Sequence, residues 1–353
     1  MKVLLLSRYG PLGASSRVRF LQYLPYFESQ GIEVRVKPLL SDAYVKALYN
    51  GCFCLHEVLQ GYTTRILAML TARYFDVVII EKELFPFMPA IAERILKFTR
   101  VPYVVDYDDA LFHRYDCHPN HWVRRLLGKK IDTVMRHAKC VIAGNQYLAD
   151  RAKKAGAPKV EIIPTVVDTD RYQPRPRSNP NELTVGWIGT PKTSRYLQPL
   201  LPVFASLKQK FSVRFVAVGA NHEDFEGTPV DVWPWSEDSE VASVQQFDIG
   251  IMPLVDSPWE RGKCGYKLIQ YMACGLPVVA SPVGVNREIV KDGENGFLAD
   301  SVDDWAEALT TILKANLSQI KNFGNKGRKL VVNRYSLQAQ ASRFCAVVKE
   351  AKN

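Results

Sequence analysis

Residues 262–299 read GKCGYKLIQYMACGLPVVASPVGVNREIVKDGENGFLA. The pattern predicts a short helix over 265–274, a Gly-Leu-Pro turn, a buried strand over 278–281, and a glycine-containing loop that opens another helix near Asn286. Such an αβα unit belongs to a doubly wound sheet. A helix N-terminus set among small residues also favours phosphate, because its unpaired N–H groups and its dipole both attract an anion. Lys263 and Lys267 bring positive charge to the same segment, and Lys267 and Gln270, three apart, share one helix face.

Outward from this unit, strands and helices alternate along the chain. Short apolar runs at 3–7, 33–37, 77–81, 103–106, 140–143 and 161–164 predict six buried strands, separated by helical patterns that include 17–30, 65–72, 89–98 and 146–155. A second series follows at 184–188, 212–218, 230–232, 249–252, 278–281 and 296–299. Each series reads as a mostly parallel sheet covered on both faces. Between them lies RYQPRPRSNPNE, rich in Pro and polar residues, which reads as a linker. The predicted division is an N-terminal domain over 1–172, a linker over 173–182 and a C-terminal domain over 183–336, with a last helix over about 337–353. A chain of 353 residues exceeds one typical core, in keeping with two domains.

The quoted stretch resembles the donor-site signature of retaining GT-B glycosyltransferases, family 4 in particular. That signature reads roughly Glu-x-Phe-Gly-x-x-x-x-Glu-Ala-Met-Ala-x-Gly-x-Pro-Val-Val-Ala-Ser, then Gly-x-x-x-Glu-Ile-Val-x-x-Gly-x-Asn-Gly. Met272, Ala273, Gly275, Pro277, Val278, Val279, Ala280, Ser281, Gly284, Glu288, Ile289, Val290, Gly293, Asn295 and Gly296 fall in register with it. Gly262 and Gln270 stand where the family carries its two spaced glutamates. Gln270 keeps an acceptor oxygen but no charge. The resemblance implies two Rossmann-like domains facing a cleft (the GT-B fold), with the last helix crossing back to the first domain. It also implies that Gln270 meets a nucleotide ribose, Lys267 a donor diphosphate, and Gly284 and Glu288 the donor pocket.

Three further loops at strand ends carry candidate chemistry. After the first strand, YGPLGASSRVR holds Gly10 and Gly13, which permit close backbone approach. The resemblance places this loop, Gly13 included, by the donor phosphates and the acceptor, with Arg17 and Arg19 as candidates for an anionic acceptor. After the fourth strand, Asp106, Asp108 and Asp109 crowd three carboxylates into four residues, which burial tolerates only if they are paired or solvated. Asp108 and Asp109 fall where many family members carry a His-Asp pair near the reacting sugar. Asp108 is therefore expected to orient or deprotonate the acceptor hydroxyl, with Asp106 at the acceptor, whereas Asp109 also suits a helix N-cap. In the third loop, GWIGTPKTSR, the resemblance puts Gly189, Thr190 and Arg195 at the donor diphosphate, with Lys192 as a rival cation; a bidentate Arg–phosphate contact would hold the leaving group. Trp233 and Trp235 are candidates for the nucleobase or for the core.

Charge is placed unevenly. Residues 1–180 carry 27 Lys and Arg against 17 Asp and Glu, while residues 181–353 carry 19 of each, so the formal net charge of +10 lies in the first half. An anionic partner is expected there: a membrane surface, lipid phosphate or acidic glycan. Nucleic acid is not expected, since no binding motif accompanies the charge. In residues 121–139, Trp122, Leu126, Leu127, Ile131 and Val134 form an apolar stripe beside Arg124, Arg125, Lys129, Lys130 and Arg136. A helix of that kind lies on an anionic bilayer or packs on its own sheet. No apolar run reaches membrane-span length, the start MKVLLLSRYG is too short for a signal peptide, and seven scattered Cys suit reduced thiols, so a cytoplasmic protein is expected, peripheral at the inner membrane face. Cys52, Cys54, Cys117, His118 and His121 lack zinc spacing.

The resulting expectation is a metal-independent hexosyltransferase. It would move a sugar, with retention, from a UDP- or GDP-linked donor to a glycan or lipid-linked acceptor in cell-surface polysaccharide or glycolipid synthesis. Asp108, Arg195 and Lys267 would carry the catalysis without a cofactor. A nucleotide-sugar epimerase of the same fold, or a non-catalytic nucleotide-sugar-binding subunit, are the alternatives. A dinucleotide oxidoreductase is not expected, because no strand–GxGxxG–helix unit occurs.

Overall fold

The computed structural model describes residues 1–49, 51–52, 54–176 and 181–352. They form two units: residues 1–165 with 261–264 and 340–353, and residues 166–260 with 265–339. Of the expected linker, residues 177–180 lie outside the described residues, as does Asn353 at the end of the expected last helix.

The first unit is built on β1 (Lys2–Leu6), β2 (Glu33–Val36), β3 (Val77–Glu81), β4 (Tyr103–Tyr107), β5 (Cys140–Ala143) and β6 (Val160–Ile162), in the order β2-β1-β3-β4-β5-β6. Every pairing is parallel. β3 and β4 are buried at every position, as expected of strands covered on both faces. The crossovers from β2 to β3, β3 to β4, β4 to β5 and β5 to β6 all run one way across the sheet. Right-handed connection therefore puts the helices Leu55–Leu70, Ile91–Phe98, Lys130–His137 and Gln146–Lys154 on one face. The β1–β2 connection runs back and fills the other face, where Phe344 of the last helix (Leu337–Ala351) lies 6.2, 5.0 and 5.4 Å from the rings of Phe20, Tyr23 and Phe27.

The single helix expected over 121–139 is instead two, His121–Leu127 and Lys130–His137. They meet at Gly128, where a Cβ would come within 2.4 Å of the Arg124 carbonyl oxygen. Its apolar stripe is split in consequence. Leu127, Ile131 and Val134 enter the core, while Trp122 and Leu126 stay 63 % and 72 % exposed.

The second unit carries β7 (Leu183–Ile188), β8 (Val213–Val218), β9 (Val230–Trp233), β10 (Ile249–Met252), β11 (Val278–Ala280) and β12 (Gly296–Leu298), ordered β12-β11-β10-β7-β8-β9 and again all parallel. Strand order reverses between β1 and β3 in the first unit and between β7 and β10 in the second. The loops leaving the carboxyl ends of strands at such reversals are where open α/β sheets bind ligands.

Candidate functional site

In the first unit the reversal is occupied by a buried charge network. The Lys82 ammonium, just past β3, lies 2.8 Å from Asp108 Oδ1 and 3.3 Å from Asp109 Oδ2. The Ser15 hydroxyl donates to Asp108 Oδ2 at 2.5 Å. Burial pushes the Asp108 carboxyl up, but the Lys82 charge and the Lys82 and Ser15 hydrogen bonds outweigh it and bring the pKa down to about 2. Burial also opposes the charge on Lys82, yet Asp108 and Asp109 hold its pKa above the ordinary lysine value. The Lys82 backbone has φ of +66°, a left-handed conformation that costs a side-chain-bearing residue energy and clusters at functional sites. The sequence signal for Lys82 is slight: a lysine directly after an apolar strand pattern.

The glycine loop is fixed against this network. Glu81 Oε2 accepts from the Ser16 hydroxyl at 2.6 Å and from the Arg8 N–H at 2.7 Å, and Ser16 Oγ accepts from the Tyr9 N–H at 3.0 Å. Gly13 N–H closes a turn on Gly10 C=O at 3.0 Å. A Cβ on Gly13 would stand 2.3 Å from Tyr9 Cβ, so the turn admits glycine alone. Arg17 is buried and donates to Pro11 C=O at 3.2 Å.

Arg19 and Asp106 require a correction. They were expected at the acceptor, but they form a buried bidentate pair, with Nε to Oδ2 at 3.0 Å and Nη2 to Oδ1 at 2.5 Å. Arg19 also donates to the Ile163 carbonyl at 3.0 Å and to the Thr165 hydroxyl at 3.4 Å. Burial works against the Arg19 charge, and the Asp106 carboxylate restores it, raising the pKa above the ordinary arginine value. Each group therefore meets an opposite charge inside the first unit rather than solvent.

Residues 261–264 pack in this first unit. Asn145 Nδ2 donates to the carbonyls of Gly262 and Lys263 at 3.0 and 2.9 Å, and the Cys264 thiol lies 3.2 Å from the Asp108 carbonyl oxygen. A Cβ on Gly262 would come 2.5 Å from Ala110 Cβ and 2.6 Å from its nitrogen. Glycine at the position of the family's first glutamate is thus a steric requirement.

In the second unit, β7 is followed by Gly189, where a Cβ would meet the Trp187 ring at 2.4 Å. Thr190 caps the short helix Pro191–Ser194 through a reciprocal pair with Thr193, so its hydroxyl has a local structural use. The helix Tyr266–Ala273 starts at Gly265, whose φ of +66° and crowding against Ile289 both call for glycine. Two residues on, the Lys267 ammonium lies 4.7 Å from the centre of the Trp187 ring, so the end of β7 and the start of the signature helix meet at this cation–π contact.

Arg195 is exposed, with its guanidinium 5.2 Å from the Tyr196 ring; its hydrogen bond to the Tyr196 hydroxyl raises its pKa. The Tyr196 hydroxyl in turn donates to Glu260, as does Ser257. These side chains line a cavity of about 570 Å³ together with Asp256, Ser281 and Asp300, at the carboxyl ends of β10, β11 and β12. A hollow of about 760 Å³ beside Leu183 and Ser212 lies at the amino ends, away from these groups.

Gln270 departs from expectation. It is buried, and its Nε2 donates to the Tyr172 hydroxyl at 2.8 Å and to Glu240 Oε1 at 3.1 Å. Tyr172 also donates to Glu240, and Trp235 Nε1 reaches Glu240 Oε2 at 3.1 Å. A glutamate at 270 would bury a second carboxylate against Glu240, whereas glutamine supplies the needed N–H. Glu240 went unnoticed in the sequence because two of its three donors, Tyr172 and Gln270, are distant along the chain.

Trp235 is partly buried in the same cluster, and Trp233 packs against Phe247 at 6.2 Å; both favour the core reading. Gly284 has φ of +53° in the turn before the helix Asn286–Ile289. Glu288, on that helix, pairs with Arg334 at 3.6 Å on the surface. Lys192 is exposed. Among the described residues His113, Asp116 and Cys117 bring ligand atoms within 4.8 Å of one another, but Asp116 is paired with Arg151 at 3.0 Å, a cation that competes with any metal.

Residues 16–165 match the family profile described as a glycosyl transferase 4-like domain, and residues 182–315 match the one described as glycosyl transferases group 1. A D-inositol 3-phosphate glycosyltransferase of Segniliparus rotundus is 25 % identical over 218 residues, 55 % of this chain and 47 % of that protein. An uncharacterized 41.2 kDa protein in the cps region of Klebsiella pneumoniae is 26 % identical over 196 residues, 52 % of this chain and 51 % of its own length. The chain spans about half the length of the curated relatives it matches. The crystal structure of Anabaena HepE in complex with UDP-glucose superimposes with a TM-score of 0.73 at 18 % identity, covering 99 % of this chain and all of that one.

Proposed function

The chain belongs to the family 4 type of GT-B glycosyltransferases, and on that premise we propose that it moves a sugar from a UDP- or GDP-linked donor to a glycan or lipid-linked acceptor with retention of configuration. The observation that carries this reading is the meeting of Lys267 with Trp187 beside the crowded Gly189 turn at the β7–β10 reversal. That arrangement suits a diphosphate, which needs backbone close approach and a cation. A HepE structure with UDP-glucose and a relative named as a glycosyltransferase support the donor class.

In this reading Lys267 and Arg195 stabilise the departing diphosphate, with Gly189, Thr190, Gly284 and Glu288 shaping the donor pocket. Gln270 acts from behind it by fixing Glu240 and Tyr172. The bond from the sugar's anomeric carbon to the diphosphate breaks, and the acceptor oxygen bonds to that carbon from the same side. The acceptor proton passes to the leaving phosphate oxygen. Asp108, held ionised by the Lys82 ammonium and the Ser15 hydroxyl, accepts a hydrogen bond from the acceptor hydroxyl and aims it. Gly13 and Arg17 would border the acceptor. The two cations take the place of a divalent metal, so activity is expected to survive chelation. The enzyme works in the cytoplasm, at the inner membrane face when its acceptor is lipid-linked, and contributes to cell-surface polysaccharide or glycolipid; the Klebsiella relative's cps-region origin supports that setting.

The deciding test is calorimetric titration with UDP, GDP, ADP and CMP and their sugars, in wild type and Lys267→Ala. Tight binding of one diphosphate, lost in the variant, supports the reading. Absence of binding to any of them overturns it.

A further inference from the structure

The helix Leu55–Leu70 packs Tyr62, Ala68 and Met69 against the core and also exposes a second apolar stripe. Its fully buried residues are Gly61, Arg65 and Ala68, with Arg65 donating to the carbonyls of Leu6, Ser7 and Lys37. Its solvent face is Leu55, Leu59, Ile66 and Leu70, spaced as one helical stripe and each more than half exposed. The neighbouring helix Ile91–Phe98, on the same face of the sheet, repeats the arrangement. Ile91, Ile95 and Phe98 form its outward stripe, Phe98 at 89 % exposure, and Phe87 and Met88 just before it are exposed as well. Large apolar side chains gathered on two adjacent outer helices mark an interaction surface.

Charge identifies the occupant. Arg73, Arg94, Lys97 and Arg100 are exposed around these stripes. The only carboxylates on the two helices are turned inward: Glu57 accepts from the Ser41 hydroxyl, and Glu93 is buried and accepts from the Leu84 N–H at 3.0 Å. A second copy of the chain, pairing this patch with itself, would set like charges face to face. A sheet of anionic headgroups over acyl chains matches both features, because the apolar stripes enter the acyl boundary while the arginines and lysine stay at the headgroups.

We infer that the helices Leu55–Leu70 and Ile91–Phe98 form a surface by which the protein docks on an anionic lipid bilayer. The surface identified from sequence, residues 121–139, keeps Trp122 and Leu126 exposed but gives Ile131 and Val134 to the core. The inference deepens the reading of a membrane-borne acceptor and rests on it for its purpose, while the measurement needs neither donor nor acceptor.

The test is co-sedimentation with vesicles of phosphatidylcholine alone and of equimolar phosphatidylcholine and phosphatidylglycerol, at low and high salt. It compares wild type, Ile95→Ser/Phe98→Ser and Arg94→Glu/Lys97→Glu, with thermal melting and nucleotide titration on each. The expected result is binding to phosphatidylglycerol vesicles at low salt, weakened about tenfold or more by salt and by either double substitution, with melting and nucleotide affinity unchanged. No binding by wild type at low salt, or equal binding by wild type and both variants, overturns it. So does self-association of wild type that the Ile95→Ser/Phe98→Ser change abolishes without any vesicle binding. Loss of nucleotide binding with vesicle binding intact would instead sink the donor reading alone.

Discussion

The Nζ of Lys82 stands 2.8 Å from Oδ1 of Asp108, and it does so from a backbone position with φ of +66°. A strained residue thus supplies the cation that keeps a buried carboxylate ionised at the end of β4. Removing the cation while keeping the side chain's bulk, in Lys82→Met, leaves Asp108 buried without its partner and is expected to cost about 3 kcal/mol of stability. Lys82→Gly loses the same cation but relieves the positive φ, so it should be about 1 kcal/mol more stable than Lys82→Ala. Urea unfolding of the three variants checks both statements; equal stability of the Gly and Ala variants would remove the strain argument.

The same pair predicts a pH dependence. Asp108 falls from its ordinary 3.8 to about 2 in the folded protein. A folded pKa below the unfolded one means that the ionised carboxylate stabilises the fold above about pH 4, and that this contribution, about 2 kcal/mol, is lost as pH falls from about 4 to about 2. Unfolding of Asp108→Asn should show a shallower loss across that window. Parallel curves for the two proteins would count against the assignment.

Gly262 stands where the family carries a glutamate, yet restoring that residue should harm the protein. Its Cβ position lies 2.5 Å from Ala110 Cβ. Gly262→Ala is expected to destabilise by about 1–3 kcal/mol through overpacking, and Gly262→Glu by at least as much. Thermal melting decides; a Glu variant with wild-type melting and raised turnover would show that the loop has room.

Gln270→Glu would place a second carboxylate beside Glu240, 3.1 Å from the present amide nitrogen. We expect a loss of about 2–4 kcal/mol at pH 8, shrinking at pH 5 as the added carboxyl takes up a proton. An unchanged melting temperature at pH 8 would mean that Gln270 is not held by Glu240.

Lys267→Ala is expected to weaken diphosphate binding about 10- to 100-fold, the scale of one hydrogen bond to a charged group. Arg195→Ala should lower turnover without destabilising the fold, since Arg195 is exposed. Calorimetry and a donor-consumption assay separate the two effects; full affinity in Lys267→Ala would displace the diphosphate from this helix.

Both sheets were legible in the sequence because parallel strands are buried on both faces and leave apolar runs such as residues 77–80 and 103–105. The glycines at 10, 13, 189 and 284 were legible too, since a tight turn leaves few residue choices. What the sequence could not decide was how its charges would be partnered. Arg19 and Asp106, 87 residues apart, cancel in the interior, Lys82 takes up Asp108, and Glu240 draws three donors from separate elements. Nor could periodicity tell which side of a helix faces the core: the pattern at 65–72 proves to be the end of the helix Leu55–Leu70, which turns Arg65 inward and leaves Leu55, Leu59, Ile66 and Leu70 outside. Local geometry and apolar patterning act over a few residues and are written in order along the chain. The state of a buried charge depends on its nearest partner in space, which only the folded packing supplies.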